Sequence, residues 1–332
     1  MNEGLIKIGL AGCGHLGKIH CKLLKEITGK DPRIKFSGIY DIDPIVSRQV
    51  VKEFGVKSFA SLEDMLEAVN TLIIVTPTVT HYEIARQAIE KGINLFIEKP
   101  VTSTINEAVR LSELKRNNPI TVQVGHVERF NPALTSLSDY VINPMFIESH
   151  RLAQFNPRGT DVSVIQDLMI HDIDIVLNLV KSPIDKIDAN GVAVISDSID
   201  IANARISFKN RCTANLTASR ISVKKMRKMR IFQNNAYISI DFLKNRSEIF
   251  RLAESSTPAE RGKSIPISST KKIIFEEPSY NSEENPNPIR NELESFFDSI
   301  INDKPVKVSL EDAARAVDVA DKIIKIISSP AG

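Results

Sequence analysis

The stretch from Leu5 to Gly17, Leu-Ile-Lys-Ile-Gly-Leu-Ala-Gly-Cys-Gly-His-Leu-Gly, decides the fold. Its first half is an apolar run with the length of a buried strand, and its second half is the glycine pattern G-x-G-x-x-G. After Gly17, apolar residues recur at helical spacing, at Ile19, Leu23 and Ile27. A glycine loop between a strand and a helix is typical of a site for a dinucleotide pyrophosphate, although a glycine-rich turn without a ligand has the same pattern.

Each residue of this loop has a predicted role. Gly12 permits the tight turn, Gly14 lets the backbone approach a pyrophosphate, and Gly17 lets the helix pack closely on the strand. The first turn of the helix offers unpaired N–H groups to the anion. His15 and Leu16, which open that turn, are therefore also predicted to contact the cofactor, with His15 beside the phosphates.

An acidic residue at the end of the second predicted strand sets the expected cofactor. Asp41 would accept hydrogen bonds from the adenosine ribose hydroxyls and would repel a 2′-phosphate, which favours NAD over NADP. Arg48 leaves NADP open, because a nearby arginine can pair with a 2′-phosphate.

The order of the predicted elements divides the chain of 332 residues into two domains. Strands alternate with helices over residues 1–125, which predicts an α/β domain with a doubly wound parallel Rossmann sheet. One apolar helix at 163–180 precedes four strand-like stretches, the last at 229–242, which predicts an α+β domain over 126–332 with an open, mostly antiparallel sheet. Residues 254–290 are rich in Ser, Pro, Glu and Lys and are predicted to form a long loop.

The composition disfavours several classes of protein. Lys and Arg number 43 against 41 Asp and Glu, so a formal charge of +2 argues against a nucleic-acid or membrane-surface partner. The basic run at 224–230 is therefore predicted to be a solvated hairpin or a charged sheet edge at an oligomer boundary. No apolar run approaches the about 20 residues of a membrane span, and the amino terminus is unlike a signal peptide. Three cysteines are too scattered for a disulfide framework or a zinc site, so no metal and a cytoplasmic location are expected.

Three loops at the carboxyl ends of the predicted strands are expected to line the ligand, since ligands of such sheets bind there. Lys99 directly follows a buried strand and is pinned by Pro100, so its ammonium would point at the nicotinamide. A surface lysine paired with Glu98 fits its position equally well. The residues predicted from these loops are Thr76, Pro77, His81, Glu98 and Lys99 for the cofactor, and Lys99 and His126 for the substrate.

The apolar helix of the second domain carries a line of ionisable residues. Asp167 and His171 are four residues apart and share one helix face, and Asp174 continues the same stripe. A carboxylate beside an imidazole raises its basicity, which suits a general base, although an ordinary i,i+4 pair on a solvated face fits the spacing too. Arg158, in the loop before this helix, could clamp a substrate phosphate or be an ordinary loop residue.

Taken together, these motifs resemble the Gfo/Idh/MocA family of glucose–fructose oxidoreductases and inositol dehydrogenases. The resemblance covers nearly the whole chain and rests on Gly12-x-Gly14-x-x-Gly17, Asp41, Thr76-Pro77 with His81, Glu98-Lys99-Pro100, Asp167-x-x-x-His171, and Ser-Leu-Glu-Asp-Ala-Ala at 309–314. It implies a Rossmann domain, a second domain whose open sheet often forms the interface of a homo-oligomer (a dimer or tetramer), and oxidation of a sugar or polyol hydroxyl. Lys99, Asp167 and His171 occupy the family's catalytic positions.

Three stretches, at 124–132, 156–161 and 167–174, resemble the sugar-nucleotide branch of that family. The resemblance to UDP-N-acetylglucosamine 3-dehydrogenases implies oxidation of a UDP-sugar at C3, before an aminotransferase makes a 3-amino sugar for lipid A. Arg158, Asp167 and His171 would then contact the substrate with Lys99 and His126. The chain departs from the usual family pattern at His126, where an aromatic residue or Asn is common.

The resemblance leaves the proton acceptor open. His171, held by Asp167, is the preferred general base with Lys99 stabilising the developing alkoxide, while Lys99 as the base is the competing assignment. Two other functions stay open on the same fold: a non-catalytic NAD-dependent sensor, and a dehydrogenase or reductase of another polyol, a dihydrodiol or a tetrapyrrole. Loss of Lys99 or His171 would indicate the sensor, but both are present.

Overall fold

The computed structural model describes residues 4–156, 162–258, 263–278 and 287–329. The chain divides into two compact units, the first made of residues 1–127 and 289–317 and the second of 128–288 and 318–332. The first division point lies close to the predicted boundary at 125/126. The predicted division did not include residues 289–317 in the first unit.

The first unit is built on five strands, all neighbouring pairs of which are parallel. The strands are β1 (Ile6–Ala11), β2 (Ile34–Tyr40), β3 (Thr71–Ile74), β4 (Asn94–Glu98) and β5 (Val122–Gly125). The helices between them are α1 (His15–Thr28), α2 (Pro44–Phe54), α3 (Leu62–Ala68), α4 (Thr78–Glu90) and α5 (Ile105–Arg116). The strand order β2-β1-β3-β4-β5 confirms the predicted Rossmann-like parallel sheet.

The order of strands reverses at β1, with β2 on one side and β3 on the other. Beyond β2, a single parallel bridge joins Ile39 to Ser58, with N···O distances of 2.9 Å from Ile39 to Lys57 and from Phe59 to Ile39. That bridge occupies the place of a further edge strand. Because ligands of open α/β sheets bind where the order reverses, the glycine loop after β1 lies at the expected site.

The second unit contains a sheet of nine strands in the order β13-β14-β12-β11-β10-β6-β9-β8-β7. Its strands are β6 (Phe146–Leu152), β7 (Ile184–Val192), β8 (Ile201–Phe208), β9 (Thr213–Ser219), β10 (Met226–Gln233), β11 (Ala236–Asp241), β12 (Arg246–Glu254), β13 (Lys263–Pro266) and β14 (Lys271–Glu276). Only β6 and β9 pair in parallel among these described strands, which confirms the mostly antiparallel sheet. Its helical segments are a 3₁₀ turn (Val127–Phe130), α6 (Pro132–Thr135), a π-helical turn (Ile165–Met169) and α7 (Ile170–Leu179).

The structure corrects three details of the predicted second sheet. The stretch predicted as one strand at 229–242 is the hairpin of β10 and β11. The predicted loop at 254–290 contains β13 and β14, whose residues alternate too weakly to be found by pattern. The basic run at 224–230 is neither a hairpin nor an edge, because most of it belongs to β10, which pairs with β6 and β11.

Two helices near the carboxyl terminus, α8 (Pro288–Asn302) and α9 (Leu310–Ser328), complete the described elements. Leu293, Phe296 and Phe297 of α8 are buried in the hydrophobic cluster of the first unit, and the rings of Phe296 and Phe96 are 5.9 Å apart. The predicted domain of residues 126–332 therefore loses α8 to the first unit. The i, i+3, i+4 spacing of the apolar residues in α8 indicates an apolar face, but it does not indicate which sheet that face covers. No helix among the described residues is long and apolar enough to cross a membrane.

Candidate active site

The glycine loop has the geometry that a bound pyrophosphate requires. Gly12 has φ of +96°, and a Cβ there would lie 2.5 Å from the carbonyl oxygen of Val75. A Cβ on Gly17 would collide with the carbonyl oxygen of Gly12, whereas a Cβ on Gly14 would meet nothing within 4 Å. Gly12 and Gly17 are therefore required by the protein itself, while the space at Gly14 fits a ligand against the backbone.

Asp41 is tied to the glycine loop by its own carboxylate. Oδ2 accepts a hydrogen bond from the backbone N–H of Cys13 at 2.7 Å, and Oδ1 accepts one from Asp43 N–H at 2.9 Å. Each oxygen can accept a further bond, which fits the ribose hydroxyls of a dinucleotide. Burial, assisted by the Asp41 charge, raises the pKa of the Cys13 thiol to about 12, so this thiol stays protonated at neutral pH.

His81 joins the loops that follow β3 and β4. Its Nδ1 lies 2.9 Å from the carbonyl oxygen of Pro100, and its Nε2 lies 2.8 Å from that of Thr76. The residue is 1% exposed, and burial lowers the pKa of its imidazole more than the two carbonyl oxygens raise it. Burial therefore favours the neutral imidazole, which can donate to only one of these two carbonyl oxygens, while the side chain contacts both loops.

Glu98 turns its carboxylate into the protein. Oε1 lies 2.8 Å from His20 Nε2, and Oε2 accepts a hydrogen bond from the backbone N–H of Lys99 at 3.2 Å. His20 is fully buried and its ring is 5.8 Å from that of Phe96. No local sequence pattern connects His20 with Glu98, because 78 positions separate the two residues.

The other predicted residues of the first unit occupy varied surroundings. His15 opens α1 and is exposed, Leu16 is half-buried, and Lys99 is half-buried at the end of β4. Pro77 caps α4 from an exposed position. His126 is buried immediately after β5 and donates its backbone N–H to Val124. Arg158 lies outside the described residues.

The ionisable helix of the second unit begins differently from the prediction. Asp167 lies in the π-helical turn and His171 in the first turn of α7, and both are half-buried. The turn containing Asp167 is wider than the α-helix assumed from the spacing, and such π turns frequently occur at functional sites. Asp174 is not on an active stripe, since both its oxygens bind Arg129 at 2.7 Å in a buried ion pair.

A second buried ion pair fixes the residue next to His171. Arg151 of β6 is 2% exposed and binds both oxygens of Asp172, at 3.0 and 2.9 Å, and Glu128 Oε1 at 2.8 Å. Burial opposes its charge, but the two carboxylates hold the pKa of Arg151 above its ordinary value. Sequence reasoning missed this pair, because no spacing rule connects a strand arginine with an acid 21 residues later.

A cavity of about 460 Å³ lies within the second unit and includes Asp167 on its wall. Aromatic, amide and cationic side chains share that wall, namely those of Phe155, Gln154, Asn156, Arg220, Lys225 and Arg227. The sequence signal for two of these cations was the basic run at 224–230, which was predicted to be a solvated hairpin or a charged sheet edge at an oligomer boundary. The strand register of β10 with β6 brings the start of that run to the cavity.

Comparison with known proteins identifies both units. The model of an oxidoreductase family with an NAD-binding Rossmann fold matches residues 6–126, and a Gfo/Idh/MocA carboxyl-terminal domain matches 145–239. A UDP-N-acetylglucosamine 3-dehydrogenase of Acidithiobacillus ferrooxidans is 35% identical over 77% of this chain and 80% of its own length. A scyllo-inositol 2-dehydrogenase of Bacillus subtilis is 27% identical over 66% of this chain and 69% of its own.

Solved structures of two dehydrogenases have a similar fold. A structure of the Acidithiobacillus ferrooxidans enzyme superposes with a TM-score of 0.83 at 30% identity, covering 97% of each chain. A levoglucosan dehydrogenase in complex with NADH and levoglucosan superposes with a TM-score of 0.81 at 18% identity, covering 97% of this chain and 96% of that one. The second likeness concerns the fold alone.

Proposed function

Since the chain belongs to the Gfo/Idh/MocA family of NAD-binding oxidoreductases, we propose that it oxidises a UDP-sugar, at C3 of UDP-N-acetylglucosamine. The observation that carries this substrate is the 35% identity, over 77% of the chain, with a UDP-N-acetylglucosamine 3-dehydrogenase. The product would be the 3-keto sugar nucleotide, which an aminotransferase could convert to a 3-amino sugar for lipid A.

The proposed chemistry assigns a proton acceptor and an electrostatic group to this chain. An alcohol is a poor acid, so the C3 hydroxyl needs a base while its carbon is oxidised, and we assign that base to His171. Asp167, one helical turn earlier, would orient the imidazole and stabilise its charged form. Lys99 would donate a hydrogen bond to the developing alkoxide. A bound nicotinamide supplies the acceptor for the hydride.

The cofactor proposed for this reaction is NAD. Asp41 places a carboxylate at the end of β2 beside the glycine loop, where a 2′-phosphate would meet a like charge. Gly12, Gly14, His15, Leu16 and Gly17 would surround the pyrophosphate. Thr76, Pro77, His81, Glu98 and Lys99 would form or support the nicotinamide end. Replacing Asp41 by Asn keeps an acceptor for Cys13 N–H and removes the charge, so the preference for NAD over NADP should fall.

We also propose that the protein is a homo-oligomer that associates through the outer face of the second sheet. Five aromatic rings stand directly opposite one another across five neighbouring strands, with centroids 5.0–5.8 Å apart: Phe146, Phe232, Tyr237, Phe250 and Phe275. Their neighbours Ile147, Ile231 and Ile238 face the buried side. An aromatic face of this extent on a monomer would be unusual without a partner, and a second copy can supply the same face.

The assay that tests the function offers NAD with each of three substrates and follows formation of NADH. UDP-N-acetylglucosamine should reduce NAD, whereas free N-acetylglucosamine and myo-inositol should not. Borodeuteride reduction of the product should place the label at C3. Oxidation of inositol alone would instead favour a polyol dehydrogenase, and no turnover with any sugar or polyol would favour the sensor.

Variants of the two candidate bases separate their roles. His171→Asn should lower kcat by about 10²–10⁴ and remove the acidic limb of the pH–rate profile. Lys99→Met should lower kcat without removing that limb. Near-normal turnover by His171→Asn at every pH would transfer the role of base to Lys99.

A further inference from the structure

The cavity of the second unit is only partly used by the proposed chemistry. Asp167 occupies one part of its wall, while the rest is formed mainly by residues from β6, the segment after it and the chain around the start of β10. Its volume of about 460 Å³ lies within the about 300–1,000 Å³ of small-molecule sites. The remaining wall therefore has room for a part of the substrate that is larger than the reacting sugar ring.

Two cations of this wall are available to an anion. Lys225 is exposed, and the structure shows no carboxylate within ion-pair distance of it among the described residues. The Arg227 side chain is 47% exposed and lies 3.4 Å from Glu128, a carboxylate that Arg151 already binds at 2.8 Å. Arg220 differs from both, because it is buried and pairs with Asp200 at 2.9 Å. Lys225 and Arg227 are thus the groups that could exchange water for phosphate oxygens.

The same wall carries an aromatic side chain and an anchored amide. Phe155 is 40% exposed and lies on this wall among polar and cationic side chains. Gln154 lies beside it, and its amide nitrogen donates to the carbonyl oxygen of Val223 at 2.9 Å, which leaves its amide oxygen as an acceptor. A flat ring with a neighbouring acceptor suits a nucleobase, since every base has a face that stacks and an edge that donates.

We infer that this cavity binds the nucleoside diphosphate part of the substrate, with Lys225 and Arg227 on the diphosphate and Phe155 against the base. The inference rests on the proposed function and identifies what selects a sugar nucleotide over a free sugar. A free sugar or polyol has neither the negative charge nor the aromatic base that this wall accommodates. The sugar attached to the diphosphate is held on the side of Asp167.

The test measures the affinity of UDP for the full-length protein by titration calorimetry, without any turnover. Lys225→Ala and Arg227→Gln should each weaken UDP binding by about tenfold or more. Lys224→Ala removes a neighbouring charge that does not line the cavity and should leave the affinity within about twofold. Phe155→Ala should weaken UDP but leave inorganic pyrophosphate unchanged.

NAD also contains a pyrophosphate, so its affinity is measured for every variant. Unchanged NAD binding places the effect in the second unit, and a parallel loss of NAD and UDP binding would overturn the inference. Equal UDP affinity in the wild type and in both Lys225→Ala and Arg227→Gln would overturn it too. If the protein oxidises UDP-N-acetylglucosamine but the variants bind UDP normally, the proposed function stands and this inference fails. If the variants selectively lose UDP binding but the protein oxidises no sugar, this inference stands and the proposed function fails.

Discussion

Gly14 and Gly17 belong to one loop, but a side chain at the two positions would meet different surroundings. Gly17 faces the backbone of Gly12, and Gly14 faces open space. The glycine pattern predicts both residues without distinguishing a glycine needed for packing from one needed for a ligand. The surroundings of the two residues in the folded protein supply that distinction, and it can be tested.

Gly14→Ala should lower the affinity for NAD by about tenfold or more, because the methyl group enters the space a pyrophosphate needs. Its free energy of unfolding should stay within about 0.5 kcal/mol of the wild type. Gly17→Ala should lower that free energy by about 1–3 kcal/mol through overpacking. Fluorescence titration with NADH and urea denaturation provide the two measurements, and equal effects of both variants on stability would contradict the distinction.

His81 gives the stability of the protein a dependence on pH. Burial lowers the pKa of His81 in the folded protein, while the unfolded chain takes up a proton near pH 6.5. The contribution of His81 to the free energy of unfolding is therefore full above pH 6.5. It decreases as the pH falls, by up to about 1.4 kcal/mol per pH unit. His81→Gln should show a smaller decline between pH 7 and 5 in urea denaturation. Parallel curves for the two proteins would contradict a neutral, buried His81.

The sequence predicts the roles of residues whose contacts are local in the chain, but not the contacts between distant residues. Asp41 and the glycines could be predicted because their roles depend on neighbours in one βαβ unit. The contact of His20 with Glu98, and that of Arg151 with Asp172, depend on how distant segments pack. No local pattern records those contacts.

At the scale of elements, Arg151 connects β6 to α7 beside His171. It is the only group binding both Asp172 and Glu128 in the described structure, so its loss would leave two buried carboxylates without their main partner. Burial makes such a loss far more damaging than the loss of a surface pair.

Arg151→Met should lower the free energy of unfolding by about 3–5 kcal/mol. Arg227→Met offers a matched control, because Arg227 contacts the same Glu128 from a half-exposed position and should change stability by less than about 1 kcal/mol. Urea denaturation of the two variants measures the difference. Similar losses from both would show that the buried pair does not hold β6 and α7 together.

Elements with strong local patterns were predicted correctly, and those with weak patterns were not. The capping box of Thr104 and Glu107 opens α5, and its whole signal lies within four consecutive residues. The strands β13 and β14 carry mixed polar and apolar residues, so composition favoured a loop. In β10 a strand was predicted from Met229 onward, but its first residues, from Met226, were assigned to the basic run instead.

At the scale of the whole molecule, the aromatic row on the second sheet predicts the assembly. Phe232→Glu should dissociate the proposed oligomer, because it places a charge within the aromatic row, where Phe232 is 38% exposed. Val109→Glu, at an exposed apolar residue on α5 of the first unit, should not. Light scattering coupled to size-exclusion chromatography gives the masses. An unchanged mass for Phe232→Glu, or a monomeric wild type, would remove this face as the interface.

The packing of α8 against the first sheet joins residues that are far apart in the chain. Leu293, Phe296 and Phe297 pack with Leu10 and Phe96, which come almost 200 residues earlier or more. Sequence reasoning therefore found the two sheets, but assigned this helix to the second.

During synthesis on the ribosome, β1 to β5 emerge well before the helix that covers them. At about 5–20 residues per second, the interval between residue 125 and residue 297 is roughly 10–35 s. Throughout that time the nascent chain exposes the apolar patch around Phe96 that α8 later shields. The protein should consequently engage chaperones while it is being made, and the first unit should reach its native packing only after α8 has been synthesised.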